Sequence, residues 1–93
     1  MNILALGPHP DDVEIGMGGT ALVLRAAGHP VTFCDLTNGE PTPIGTPERR
    51  AREAEEAAAL LGVRRITLEF PNRYLQDTID ARNRVAEVIR EVR

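Results

Sequence analysis

The chain has 93 residues, enough for one domain with a modest core, and its net charge at pH 7 is −3. All eleven basic residues are arginine and fourteen residues are acidic, with no basic patch, so we expect no nucleic-acid partner. No apolar run approaches the roughly 20 residues of a membrane span, and the start does not read as a targeting segment, so we expect a soluble, cytoplasmic protein without membrane partners. Cys34 is the single cysteine, and its apolar surroundings favour a buried core residue over a nucleophile.

Short apolar runs alternate with helical patterns along the chain. Strands are predicted over residues 3–6, 31–36 and 65–70, each followed by a helical pattern. This β-α-β-α-β-α order predicts an α/β fold with a Rossmann-like parallel sheet and helices on both faces, here its first half. In such a doubly wound sheet the first strand is expected at the centre.

Local signals predict the ends of the helices. The first helix is predicted to begin near Gly16. The second has Thr46 as its cap and Gly62 as its stop, and the third begins near Asp77 or Thr78.

The residues behind the first strand concentrate ionisable side chains. One imidazole and three carboxylates lie within six residues: His9, Asp11, Asp12 and Glu14. Zinc accepts nitrogen and oxygen ligands of this kind in catalytic sites. We therefore predict that His9 and Asp12 bind a metal ion and that Asp11 is the base for a metal-bound water, on a loop stiffened by Pro10. The alternative is a turn whose aspartates cap the next helix.

The glycines at positions 16, 18 and 19 raise the possibility of dinucleotide binding. A dinucleotide fingerprint needs its glycines in the turn itself, where backbone N–H groups meet the pyrophosphate. Here that turn carries Asp11, Asp12 and Glu14, which would repel phosphate. The glycines fall inside the predicted helix, so their position favours close helix packing.

Three segments carry a family resemblance: PHPDDVEIGMGGT at 8–20, CDLTNGE at 34–40 and GTPERR at 45–50. In these segments the chain resembles the LmbE/PIG-L family of zinc-dependent N-deacetylases, and the resemblance covers essentially the whole chain. Within that family these segments are similar to those of the bacillithiol-pathway enzymes that deacetylate N-acetylglucosaminyl malate. The resemblance implies that residues 1–93 form the amino-terminal part of a single deacetylase domain.

The resemblance also implies an activity and the roles of several residues. It implies hydrolysis of the N-acetyl group of a GlcNAc-type sugar, with His9 and Asp12 as zinc ligands and Asp11 as the general base. The partner would be a small-molecule amino-sugar substrate, and we expect a homo-oligomer for the full-length protein. Glu14 would orient a ligand or the following backbone, or would simply be a carboxylate at a helix N-terminus.

Two further residues match substrate-binding positions of the family. Arg50 corresponds to an arginine whose planar guanidinium suits a carboxylate such as that of malate. Asn72 stands where many members have an aspartate that hydrogen-bonds sugar hydroxyls. We expect Arg49 and Arg52, beside Arg50, to be surface residues.

One part of the family pattern is absent from residues 1–93. The third zinc ligand and the oxyanion-stabilising histidine lie in a later His-rich motif, and we expect His29 to be an exposed loop residue that cannot replace them. Hydrolytic zinc sites normally use three protein ligands. We therefore expect this chain to be part of a longer enzyme. The alternative is a non-catalytic α/β domain that uses the acidic loop to bind a ligand or partner.

Overall fold

The structure is a computed structural model and describes residues 1–39, 45–71 and 75–93. Strands and helices alternate, and three parallel strands form one sheet, which confirms the predicted α/β fold. The elements are β1 (Ile3–Gly7), α1 (Asp12–Ala26), β2 (Val31–Asp35), α2 (Pro47–Leu61), β3 (Arg64–Thr67) and α3 (Ile79–Val92).

Local capping interactions set the ends of α2 and α3, as predicted. The hydroxyl of Thr46 accepts a hydrogen bond from the N–H of Arg49 at 3.1 Å. The hydroxyl of Thr78 accepts one from the N–H of Ala81, also at 3.1 Å. Gly62 ends α2 with a φ of 69°, a left-handed conformation that glycine adopts without steric cost. These caps satisfy backbone groups that the helix ends would otherwise leave unpaired.

The start of α1 differs from the prediction, because the helix begins at Asp12 and not near Gly16. Asp11 precedes it in the left-handed conformation, with φ 85° and ψ −27°, and the helix starts directly from that turn. Met17 has a φ of −148°, which is not helical, so the glycine-rich segment marks a bend inside α1 and not its beginning. The loop carboxylates after Asp11 therefore lie in the first turn of a helix.

The order of the strands is β1-β2-β3, so β2 is the central strand of the described sheet. This is the order of the first half of a doubly wound sheet, in which β1 becomes central only when a further strand pairs with its other edge, so the central position of β1 stays a prediction. The connections β1-α1-β2 and β2-α2-β3 each lead to the next neighbouring strand in the same direction. β2 therefore lies between β1 and β3. Within the described ranges, β1 pairs with β2 alone.

The core lies on both faces of the sheet. Neighbouring β2 residues point to opposite faces, so Phe33 packs with α1 and Cys34 with α3, and both side chains are fully buried. This confirms both the two-faced helix packing and the buried position of Cys34. None of the helices in the described ranges is long and apolar enough to cross a membrane. The two buried clusters are Ala5, Val13, Ala21, Val31 and Phe33 on one face and Cys34, Leu68 and Val88 on the other.

Candidate active site

The loops after β1 and β2 meet at the carboxyl edge of the sheet. The strand register places Gly7 opposite Asp35, so the segments that follow β1 and β2 leave the sheet side by side. The hydroxyl of Thr37 donates to the carbonyl oxygen of Pro8 at 2.8 Å and accepts a hydrogen bond from the N–H of Gly39 at 3.1 Å. Thr37 is fully buried, so its hydroxyl holds the first loop against the second.

The structure brings His9 and Asp12 together. The Nδ1 atom of His9 lies 3.2 Å from Oδ2 of Asp12, and the same oxygen accepts the backbone N–H of His9 at 3.1 Å. Both side chains are partly open to solvent, 43% exposed for His9 and 44% for Asp12. An imidazole nitrogen and a carboxylate oxygen on one short loop fit two positions of a zinc site. No cluster of three or more His, Cys, Asp or Glu side chains able to hold a metal ion occurs within residues 1–39, 45–71 and 75–93.

Asp11 has an unusual backbone conformation. Its φ of 85° is the only positive φ of a non-glycine residue in the described part of the chain. The left-handed conformation costs an L-residue about 1–2 kcal/mol, and such strain concentrates at functional sites. Asp11 occupies the cap position of α1, yet its exposed side chain makes no capping hydrogen bond, unlike Thr46 and Thr78. The alternative that Asp11 serves to cap the helix is therefore not supported.

Arg50 reaches the same edge from α2. A Cβ atom added at Gly39 would lie 3.3 Å from Nη2 of Arg50 and 3.5 Å from Cδ of Pro10, so the guanidinium and Pro10 both lie close to Gly39. The φ of 78° at Gly39 also favours glycine there. Among the described residues, nothing hydrogen-bonds the buried Nε of Arg50. Arg49 and Arg52 are exposed, as expected.

An internal ion-pair network lies beneath this loop, and sequence reasoning missed its centre. Nη2 of Arg65 lies 2.7 Å from Oε2 of Glu14, and Nη1 of Arg65 lies 2.5 Å from Oδ2 of Asp35. The hydroxyl of Thr67 donates to the same Asp35 oxygen at 3.2 Å. The side chains are 7% exposed for Arg65, 15% for Glu14 and 0% for Asp35. Charges removed from water to this extent require partners, and here each has one.

The pKa values of both Asp35 and Arg65 are raised within the network, for different reasons. Burial raises the pKa of Asp35, although hydrogen bonds from Arg65 and Thr67 oppose the rise. Burial by itself would lower the pKa of Arg65, but its hydrogen bonds to Glu14 and Asp35 outweigh that effect and the pKa is raised. One signal in the sequence points to this residue. Arg64 and Arg65 are adjacent in a strand, so their side chains lie on opposite faces of a sheet that is covered by helices on both faces.

The remaining predicted residues lie elsewhere. His29 lies in the turn before β2, at the opposite edge of the sheet, where its Nδ1 is 3.2 Å from the amino group of Met1. It is partly buried there, more than expected for an exposed loop residue, and it is remote from the site as predicted. Asn72 falls outside the described residues, as does Glu40 of the second motif.

A cleft of about 560 Å³ opens between the start of α2 and the ends of β2 and β3. Pro10 and Asn38 connect it to the loops of the candidate site. Among the described residues that line it, three are glutamates and one is Arg65. The lining comprises Pro10, Asn38, Pro47, Glu48, Ala51, Ala54, Glu55, Arg65, Thr67 and Glu69.

The fold and the loop together define an α/β protein with an imidazole and a carboxylate in contact beyond the end of its first parallel strand. Comparison with known families agrees with this description. Residues 4–93 match the PIG-L family, described as GlcNAc-PI de-N-acetylase. The chain belongs to that family.

The chain is also similar to individual proteins of known sequence or structure. The diacetylchitobiose deacetylase of Thermococcus kodakarensis is 35% identical over 102 residues, a match that covers 98% of this chain and 37% of that protein. The conserved protein TT1542 from Thermus thermophilus superposes with a TM-score of 0.91 at 41% identity, covering 98% of this chain and 42% of that one. The N,N'-diacetylchitobiose deacetylase from Pyrococcus horikoshii gives a TM-score of 0.87 at 32% identity, covering 97% and 37%. The chain thus spans less than half the length of these relatives.

Proposed function

We propose that the protein to which this chain belongs hydrolyses the N-acetyl group of a GlcNAc-type substrate with the help of zinc, releasing acetate and a free amine. The observation that carries the proposal is the contact of 3.2 Å between His9 and Asp12 at the end of β1. Membership of the PIG-L family and similarity to two diacetylchitobiose deacetylases support the reaction class.

His9 and Asp12 would hold the metal ion. A zinc ion there would lower the pKa of a bound water and polarise the acetamide carbonyl. His9 lies on the loop after β1, beside Pro10, and Asp12 is the first residue of α1, so the two donors already lie 3.2 Å apart before a metal binds. A third protein ligand is expected, by resemblance, from a His-rich motif that residues 1–93 do not contain.

Asp11 is the proposed general base. It directly precedes Asp12, and its exposed carboxylate is not engaged in capping α1. The carboxylate would accept a proton from the attacking water as the new C–O bond forms. Returning that proton to the nitrogen as the C–N bond breaks yields the free amine and restores the base.

Arg50 is the proposed anchor for a negatively charged part of the substrate. Its Nε is buried without a hydrogen-bond partner among the described residues, which leaves donor capacity for a ligand. A carboxylate such as that of malate would match the planar guanidinium. Asn72 remains a proposed hydrogen-bond partner for sugar hydroxyls.

The test is to purify the protein at the full length that its gene encodes and to offer it N-acetylglucosaminyl malate, diacetylchitobiose and N-acetylglucosamine. We expect release of acetate and of an equal amount of primary amine from at least one sugar. The activity should disappear after treatment with a zinc chelator and return when zinc is added. Binding of a sugar with no amine released would favour the non-catalytic binding domain and contradict the proposal.

A further inference from the structure

Arg65 connects three elements of the fold through two carboxylates. It lies on β3, and its guanidinium contacts Glu14 in the first turn of α1 and Asp35 at the end of β2. The first turn of α1 is also the turn that contains Asp12 and follows Asp11. Arg65 is therefore linked to the loop of the candidate site through a single side chain.

Stability alone is a weak explanation for this network. Removing charges from water is costly, and well-packed apolar side chains can replace buried ion pairs without loss of stability. The neighbouring Arg64 shows the ordinary arrangement, since it is 53% exposed and pairs with Glu91 of α3 near the surface. A buried pair is most useful where one particular geometry has to be selected over others.

The start of α1 needs such a restraint. Asp11 does not cap the helix with its side chain, its backbone is strained, and the helix bends at Met17. Val13 packs into the core and is 5% exposed, but apolar packing is non-directional. Oε2 of Glu14 lies 2.7 Å from Nη2 of Arg65, and the attraction between two opposite charges weakens as they separate. The ion pair therefore favours the rotation of the first turn about the helix axis that keeps Glu14 beside Arg65.

We propose that Arg65 is a positioning residue, which acts through Glu14 to hold the first turn of α1 in the rotation that presents Asp11 and Asp12 to the metal and the substrate. The ion pairs of Arg65 are with Glu14 and Asp35, and arginine is not a metal ligand here. This inference rests on the proposed function, because it assumes that His9 and Asp12 bind zinc. Partners that orient metal ligands typically contribute about 10-fold to 100-fold to metal affinity or activity.

The experiment compares Glu14→Gln, Arg65→Lys and Arg65→Met with Arg64→Met in the full-length protein. Zinc dissociation constants are measured by competition with a chelator, and kcat and KM are measured separately. Glu14→Gln and Arg65→Lys should weaken zinc binding by about 10-fold and lower kcat with little change in KM. Arg65→Met, which leaves two buried carboxylates without a cationic partner, should have a larger effect. Arg64→Met, the same change one residue away, should leave zinc binding and both kinetic constants unchanged.

Melting temperatures distinguish positioning from simple stabilisation. If Arg65→Met does not fold, the decision rests on Glu14→Gln and Arg65→Lys, which keep a hydrogen-bonding group in place. Lower melting temperatures with unchanged zinc affinity and kcat in those two variants would overturn the inference. An increase in KM alone would also overturn it, because it would assign Arg65 to direct contact with substrate in the cleft. An unsubstituted protein without zinc or deacetylase activity would instead overturn the proposed function.

Discussion

Oδ2 of Asp12 contacts two nitrogen atoms of His9, the ring Nδ1 at 3.2 Å and the backbone nitrogen at 3.1 Å. The backbone hydrogen bond fixes the carboxylate on the same side of the loop as the imidazole. A cation bound between Nδ1 and Oδ2 would gain two donors already in place. This pair is the basis of the first prediction.

We predict that the full-length protein holds about one zinc ion per chain and that His9→Ala and Asp12→Ala lose it, since each change removes a ligand. Metal analysis of the purified proteins measures this. The matched controls are His29→Ala, at the opposite edge of the sheet, and Asp80→Ala, in the first turn of α3. Undiminished zinc in both site variants would refute the assignment.

The second prediction concerns the base. Asp11→Asn should keep its zinc but lose activity by on the order of 10²-fold or more, because the amide cannot accept the proton. Asparagine tolerates the left-handed backbone about as well as aspartate, so the variant leaves the φ of 85° undisturbed. Steady-state rates at saturating zinc test the point. Substantial activity of Asp11→Asn would mean that another group is the base.

The third prediction concerns charge recognition by Arg50. Arg50→Ala should raise KM for N-acetylglucosaminyl malate by roughly 10-fold to 100-fold, as expected when a charge-assisted hydrogen bond worth about 1.5–3 kcal/mol is lost. KM for the uncharged diacetylchitobiose should change much less. Arg49→Ala is the matched control, because Arg49 is exposed and pairs with Glu53 at 3.0 Å. An equal increase in KM for both sugars would contradict a role in recognising the carboxylate.

The fourth prediction concerns the pH dependence of stability. Burial raises the pKa of Asp35, so the folded protein holds this proton more tightly than the unfolded chain does. The contribution of Asp35 to the free energy of unfolding should therefore fall as the pH rises from the unfolded value of about 3.9 through the raised folded pKa. Asp35→Asn removes this titration, so its stability relative to the unsubstituted protein should improve over that range. Urea unfolding at a series of pH values measures it, and the opposite trend would mean that the Arg65 ion pair outweighs burial.

The sequence predicted the α/β class, both ends of α2 and the start of α3. Those features depend on local chemistry, such as the hydroxyls of Thr46 and Thr78 and the left-handed turn at Gly62. The cluster of His9, Asp11 and Asp12 was also visible, because its residue types and spacing are contiguous in the chain. Side chains three residues apart need only one turn to bring them into contact.

Tertiary structure decided the remaining features. The start of α1 depends on the backbone of Asp11, and the central position of β2 depends on which strand edges are paired. The approach of Arg50 to Gly39 depends on how α2 packs beside the loop after β2. These relationships join residues that are distant in the chain, so no local propensity encodes them.

The ion pairs of Arg65 with Glu14 and Asp35 show most clearly what the sequence determines and what the tertiary structure decides. Strand alternation places Arg64 and Arg65 on opposite faces of the sheet but does not say which of them is buried. Which one is buried follows from the register of β3 against β2, which aligns Thr67 with Asp35. That it meets Glu14, 51 positions earlier in the chain, follows from the packing of α1 over the end of the sheet. Local chemistry determined which charges exist, and the packed fold determined which of them could be buried together.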